Sequence, residues 1–394
     1  MHVLLIPSWY ATKENPVQGS FFREQAHALA RAGHRVGVIA PALRSIRELP
    51  SGLASAWRGI RFEDDDGVAT YRLSGVQPLP GLRPANDRSW IAAGRRLYER
   101  YAADQGAPDI LHAHAVFMGG VIGGHIKCAI GVPLVITEHS TVYQRRPIPG
   151  FQIDEARDAL MRADARLVVS PQLGESMERV LGPAAAPWEW VPNVVDGSFL
   201  SGAFPDQRAS GAPFRFLNVA FLHEKKGQAD LLRAFAERFA GDPSVRLGIG
   251  GDGPERGRLH ELAGSLAIAE QVDWLGALDR DGVRQAMCEA DAFVLPSRLE
   301  TFGVVVIEAL ACGLPVVATR SGGPECIVTP DDGILVAVGD VHALGDGLVA
   351  MRDTAADYDP AALRARCAKR FGEAALVQRL GSVYARVLAG GEAA

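Results

Sequence analysis

The amino-acid sequence predicts an α/β protein made of two doubly wound domains, on three observations. The chain has 394 residues, about twice the length of a common single domain. Short apolar runs alternate with longer amphipathic stretches along most of it, the rhythm of parallel-sheet proteins. Over residues 191–213 that rhythm stops and Pro, Gly, Ser and Asp accumulate, as in a linker or hinge. The expected division is a first domain at 1–195, a linker at 191–213 and a second domain at 214–372, with a C-terminal helix at 373–394 joining the first domain.

In the first half, residues 3–7, 36–40, 110–113, 134–137 and 167–170 read as strands, apolar on both faces as buried parallel strands are. Residues 20–32 read as a helix stopped by Gly33. Asp64-Asp65-Asp66-Gly67, between Phe62 and the apolar run 68–73, reads as a hairpin turn. The second half repeats the pattern, with strands at 216–220, 246–250, 272–275, 292–295 and 315–318 and helices at 228–239 and 304–311. Residues 360–388 read as helical. Ligands of such sheets gather at the carboxyl ends of the strands, here expected in a cleft between the two domains.

Composition narrows the function. With 48% hydrophobic and 22% charged residues the chain is globular. A net charge of −5 does not supply the basic field of a nucleic-acid binder. Charge is uneven, +2 over residues 1–195 and −7 over 196–394, so a second anionic partner is expected on the first domain or not at all. Cys128, Cys288, Cys312, Cys326 and Cys367 are odd in number and scattered, which indicates neither a disulfide framework nor a zinc knuckle and fits a reducing cytoplasm. The opening residues lack the basic start of a signal peptide. The apolar stretch 110–136 is broken by histidines, Lys127 and glycines, so no transmembrane helix is expected.

The most informative stretch is 291–310. A buried strand ends at Pro296, a polar loop follows, and a helix begins near Gly303. The first N–H groups of a helix have no internal partners, so Phe302, Gly303 and Val304 are placed to donate to an anion. Glu300 and Glu308, with seven residues between them, reach around the same helix end and accept hydrogen bonds from hydroxyls. A nucleotide sugar, with phosphates at its centre and hydroxyl-rich rings on either side, satisfies all three features. The bland alternative is a surface loop with a structural salt bridge at Glu308.

Glu300 and Glu308 flanking Phe302-Gly303, followed by Ala-Cys-Gly-Leu-Pro-Val-Val-Ala-Thr and Ser321-Gly322-Gly323-Pro324-Glu325, resemble the E-x7-E region of family-4 retaining glycosyltransferases of GT-B fold. Further stations match in order: Gln18-Gly19-Ser20-Phe21-Phe22, Thr137-Glu138-His139, Val191-Pro192-Asn193, Lys225-Lys226-Gly227 and Gly250-Gly251-Asp252-Gly253-Pro254. The resemblance covers almost the whole chain. It implies that Glu308 binds ribose hydroxyls, Glu300 the donor sugar, Lys226 the diphosphate, the Gly19 backbone the phosphates, and His139 the edge of the sugar, with the nucleobase near the backbone of Ala277 and Leu278. One position departs from the pattern: Phe221 stands where many relatives have arginine. Lys225, His223 or the helix dipole are the candidates to replace that charge. The pair Lys225-Lys226 is conspicuous in a chain with five lysines.

Other signals weigh less. Residues 248–253 satisfy GxGxxG, but Asp273 falls mid-strand and Pro254 follows at once, against dinucleotide binding. Asp64-Asp65-Asp66 contains a DxD pattern better explained by its turn. His112 and His114 point to one face of a strand, but no further metal ligands accompany them, so no metal or other cofactor is expected. Arg44, Arg47, Trp57, Arg58 and Arg61 mix basic and aromatic residues and would suit peripheral contact at the inner face of a membrane. Arg145 and Arg146 are candidate acceptor contacts.

The expected function is therefore metal-independent, retaining transfer from a UDP-sugar, or secondarily a GDP-sugar, to a glycan, lipid-linked or small-molecule acceptor. Two alternatives remain at this stage: a nucleotide-sugar 2-epimerase on the same scaffold, and a non-catalytic sugar-nucleotide-binding protein.

Overall fold

The computed structural model describes residues 1–12, 18–45, 59–77, 83–145, 148–201 and 211–390. The chain divides into two compact units, Met1–Asn193 with Leu376–Ala394, and Val194–Ala375.

The first unit runs β1 (His2–Pro7), α1 (Ser20–Arg31), β2 (Arg35–Ser45), β3 (Gly59–Asp65), β4 (Val68–Gln77), α2 (Arg83–Gln105), β5 (Ile110–His114), α3 (Val121–Ile130), β6 (Leu134–Glu138), α4 (Val142–Arg145), α5 (Gly150–Arg162), β7 (Ala165–Val168), α6 (Pro171–Leu181) and β8 (Glu189–Trp190). One sheet takes the order β3-β4-β2-β1-β5-β6-β7-β8. Every pairing is parallel except the β3–β4 hairpin. The central strands β1, β5 and β6 are buried along their whole length, as mostly apolar central strands are, and the polar residues His112, His114, Thr137 and Glu138 are buried with them. α6 starts where Ser170 accepts from the Leu173 amide and Pro171 supplies the first turn.

The second unit contains α7 (Gly197–Ser201), β9 (Phe214–Val219), α8 (Gln228–Phe239), β10 (Val245–Gly250), α9 (Arg256–Ser265), β11 (Val272–Gly276), α10 (Arg280–Cys288), β12 (Ala292–Leu295), α11 (Val304–Ala311), β13 (Val316–Thr319), β14 (Gly333–Val336), α12 (Val341–Thr354) and α13 (Pro360–Phe371). Its six strands are all parallel, in the order β11-β10-β9-β12-β13-β14. Phe216, Leu231, Phe235, Phe239, Leu247 and Leu348 form part of its buried core.

The helical stretch expected at 360–388 forms two helices, α13 and α14 (Glu373–Leu388), separated at Gly372, which is extended. One expectation is corrected. The first part of the expected linker is structured: Val195 N–H donates to Phe371 O at 2.9 Å, Asp196 pairs with Arg280, and α7 follows. Residues 202–210 lie outside the described residues. Strands β8 and β14 were not expected from the sequence: β8 is only Glu189–Trp190, and β14, although apolar over Ile334–Val336, is only four residues long; both lie at sheet edges.

Candidate active site

In the second unit the order of strands reverses between β9 and β12, the neighbours from which the chain winds outward in both directions. Loops leaving the carboxyl ends of two such strands part and leave room for a ligand. The loop after β9 carries Lys226 and the loop after β12 carries Glu300. Lys226 Nζ donates to Glu300 Oε1 at 2.5 Å, and Ser297 Oγ donates to the same oxygen at 2.8 Å. Glu300 is buried and Lys226 mostly so.

Several contacts fix this meeting. Arg298 N–H donates to Lys225 O at 2.8 Å, and the Arg298 guanidinium grips Asp230 of α8 through two bonds of 3.0 and 3.1 Å. Gly227 starts α8 with φ +71°, and a Cβ there would lie 2.0 Å from Pro296 O, so only glycine lets the two loops approach. Glu300 N–H donates to Ser321 O at 2.9 Å, and Gly323 N–H returns to Glu300 O at 3.0 Å. Asn218 at the end of β9 donates to Val294 O, while its Oδ1 is buried without a partner.

No side chain caps α8 or α11, which begin at Gly227 and Gly303. By contrast α10, α12 and α13 are capped by Asp279, Asp340 and Asp359. The uncapped ends leave partial positive charge beside Lys226 and Glu300. The Phe302 side chain is core, packed edge-on against Phe371, so only its backbone is placed to meet a ligand. Glu308 is half-buried on the second turn of α11.

In the first unit the order reverses between β1 and β5. The loop after β1 ends at Gly19, φ +80°, which starts α1 without a side-chain cap. The rings of Phe21 and Phe22 then pack on His139, at the end of β6, with centroids 5.3 and 4.8 Å away. The structure thus brings Gly19's helix end and His139 together. His139 Nε2 lies 3.1 Å from His114 Nδ1, and its own Nδ1 is buried with no hydrogen-bond partner among the described residues. Burial drives His112 and His139 down to about 3 and His114 well below the usual value. Burial also raises Glu138 to about 6, against three backbone amides, Val116, His139 and Ser140, that donate to its carboxylate.

Sequence profiles described as "Glycosyltransferase Family 4" and "Glycosyl transferases group 1" match residues 18–199 and 203–365. A phosphatidyl-myo-inositol mannosyltransferase of Mycolicibacterium smegmatis is 30% identical over 334 residues, 82% of this chain and 78% of that protein. The chain belongs to glycosyltransferase family 4. A glycogen synthase of Mycobacterium tuberculosis is 28% identical to this glycosyltransferase over 397 residues, 94% of this chain and 90% of that protein. In fold, the enzyme is similar to Anabaena Alr3699/HepE in complex with UDP, with a TM-score of 0.70, 18% identity, and 98% and 100% of the two chains covered. The GT-B class follows from these likenesses and the two parallel sheets.

Other expected residues of the glycosyltransferase stand apart. Ala277 is exposed and Leu278 half-buried in the loop after β11. A groove of about 430 Å³ beside α10, lined by Arg215, Leu217, Asp273, Leu275 and Leu278 among others, includes neither Lys226 nor Glu300. Phe221 is 60% exposed. His223 Nδ1 accepts from the Lys225 amide at 3.3 Å, so it braces the turn that presents Lys226. Arg146, Arg47, Trp57 and Arg58 lie outside the described residues, as do the side chains of Arg44 and Arg145. Asp64 accepts from Gly67 N–H at 2.8 Å. His27, Asp65 and Asp66 are close enough together to suggest a cation site, but Arg23 reaches both carboxylates, at 2.5 and 3.5 Å. Asp273 is paired with Arg246, which removes the dinucleotide reading of that acid. Among the described residues no helix is long and apolar enough to cross a membrane.

Ser297, Arg298, Asp230 and Gln25 were not singled out from the sequence. Gln25 had a visible signal: a polar residue on the apolar face of α1, among Phe22, Ala26 and Leu29.

Proposed function

We propose that this glycosyltransferase moves a sugar from a nucleoside diphosphate donor with retention of anomeric configuration and without a metal ion. The Lys226–Glu300 contact carries the reading: a cation and a carboxylate on separate loops at a switch point, each able to exchange its partner for part of a donor. Lys226, with Lys225 and the backbone amides of Phe302, Gly303 and Val304, neutralises the diphosphate. Glu300 accepts from sugar hydroxyls and Glu308 from the ribose, while Ala277 and Leu278 flank the base. Gly19 offers its backbone to phosphate, and His139 borders the sugar.

Departure of the diphosphate leaves positive charge on the anomeric carbon and adds negative charge to the leaving oxygens, and preorganised donors stabilise the latter. The leaving phosphate oxygen takes the proton of the acceptor hydroxyl as the new C–O bond forms on the same face, so no protein nucleophile is required. Metal independence is favoured because Lys226 and two uncapped helix ends already supply positive charge, while in the DxD stretch Asp64 accepts from Gly67 N–H and Asp65 is paired with Arg23.

The UDP complex of the Anabaena protein favours a UDP-sugar over a GDP-sugar. The names of the two relatives, one carrying a phosphatidyl-inositol and one a glycan, favour a lipid-linked or glycan acceptor. A thermal-shift panel of nucleotide sugars tests the donor, since a ligand at a hundred times its Kd adds about 2.7 kcal/mol of stability. NMR of the first product reads its anomeric configuration, and inversion would refute the retaining mechanism. A new epimer from donor alone would favour the 2-epimerase instead, and tight nucleotide binding without turnover the non-catalytic protein.

A further inference from the structure

His139 stands at the end of a buried chain of polar groups that the transfer chemistry above does not use. His112, His114 and Gln25 are buried. Gln25 Nε2 lies 3.4 Å from His112 Nδ1 and 3.4 Å from His114 Nε2. His112 Nδ1 also meets the Tyr384 hydroxyl of α14 at 2.6 Å, and its Nε2 meets Thr137 Oγ1 at 2.7 Å. His114 Nδ1 then meets His139 Nε2 at 3.1 Å. Among the described residues, the ionisable groups hydrogen-bonded within the cluster are these three rings and Tyr384.

A neutral imidazole has one donor and one acceptor nitrogen, and burial keeps these rings neutral. An amide nitrogen only donates, so its two hydrogens require acceptors at His112 Nδ1 and His114 Nε2. The rest follows ring by ring. His112 carries its proton on Nε2 and donates to Thr137, with Tyr384 as a second donor to Nδ1. His114 carries its proton on Nδ1 and donates to His139 Nε2. The remaining proton sits on His139 Nδ1, the atom left without a partner. The Asn193 side chain interacts with the His139 ring but does not complete a hydrogen bond to its Nδ1. A buried, unpaired N–H is costly and becomes satisfied when a ligand oxygen arrives.

We propose that Gln25 is a positioning residue that fixes this chain of tautomers, so that His139 meets the transferred sugar as a neutral Nδ1–H donor to a hydroxyl oxygen. This rests on the assignment of His139 to the sugar. It excludes His139 as a base, because its Nε2 lone pair is already taken.

The test is nitrogen-15 NMR of the full-length protein labelled at histidine, with the His139 signals identified by their loss in His139→Gln, at a pH well above the ordinary histidine range. Nδ1 of His139 is expected to be of the protonated, pyrrole type; a pyridine-type Nδ1 with a protonated Nε2 overturns the proposal. In Gln25→Glu the carboxylate can only accept, so every proton in the chain moves to the other nitrogen and His139 Nδ1 becomes pyridine-type. Turnover should fall about a hundredfold, as for one lost preorganised donor, with the Kd for UDP unchanged. A folded Gln25→Glu whose His139 keeps its proton on Nδ1 also overturns the proposal, and the wild-type spectrum decides if that variant does not fold. Full transfer by His139→Ala would refute the assignment of His139 to the sugar, a failure that the nitrogen spectrum distinguishes.

Discussion

If Lys226 serves the diphosphate, it must first release Glu300, and that exchange has a measurable sign. The pair is close, at 2.5 Å, and its side chains are only 20% and 10% exposed, so it is not a screened surface pair. A charge-assisted hydrogen bond contributes about 1.5–3 kcal/mol, roughly twice a neutral one. Replacing Glu300 by Gln keeps an acceptor for Lys226 and Ser297 but removes the charge, which relieves about 1–1.5 kcal/mol of competition. Glu300→Gln should therefore bind a bare nucleoside diphosphate about fivefold to tenfold more tightly than wild type. Lys226→Ala should bind it about tenfold to a hundredfold more weakly and lose about a hundredfold in turnover. On the proposed roles both variants should transfer sugar poorly, Glu300→Gln through weaker hydrogen bonds from the donor's sugar hydroxyls and Lys226→Ala through loss of charge at the leaving diphosphate. Isothermal titration with UDP and GDP measures the split. If Glu300→Gln weakens nucleotide binding as much as Lys226→Ala, Glu300 holds the nucleotide directly and the exchange is wrong.

Glu308→Ala should raise the Kd for nucleoside diphosphate by about tenfold, while a 2′,3′-dideoxy nucleotide, lacking the hydroxyls Glu308 would accept from, should lose little further in that variant. Gly227→Ala puts a Cβ 2.0 Å from Pro296 O at φ +71° and should cost more than about 1 kcal/mol, read as a lower Tm together with weaker nucleotide binding. Activity should survive EDTA; loss in EDTA with return on adding manganese would refute metal independence. Because His112, His114 and His139 are depressed by burial from 6.5, they bind protons only when unfolded, and stability should fall as pH drops below about 6.5. Glu138, raised by burial from 4.5 to about 6, works the other way between those values, leaving a net loss of roughly 3 kcal/mol per pH unit from about pH 6 to about pH 5; denaturant titrations that stay flat there would refute it.

The strands that carry the site were legible because each is a short, mostly apolar run ending in a polar loop, and Lys226 and Glu300 stand out in those loops. Their pairing was not legible, since it joins residues 74 apart in sequence and depends on strand order, which periodicity does not encode. Phe302 was read as a backbone donor, and its ring is held by the core through Phe371, which leaves that reading of the amide in place. His112 and His114 were correctly placed on one face, with ring centroids 4.3 Å apart. Their partners Gln25 and Tyr384 come from α1 and α14, elements whose docking only the tertiary structure supplies.

The two carboxyl edges solve opposite electrostatic problems. In the second unit the functional groups are ionised, Lys226 against Glu300 beside two uncapped helix ends, and a charged pair is suited to a charged ligand because it can trade one ionic partner for another at little net cost. In the first unit the groups around His139 are neutral imidazoles, an amide and hydroxyls. A cationic imidazole there would bind a second phosphate as readily as a sugar hydroxyl, whereas a neutral N–H held by its neighbours discriminates by geometry and by lone pair. On the proposed assignment of His139 to the sugar, depression of the three histidine pKa values would favour a hydroxyl over a phosphate on that unit. A substitution that lets His139 charge, such as a carboxylate placed beside it, should gain affinity for free phosphate and lose discrimination for the sugar.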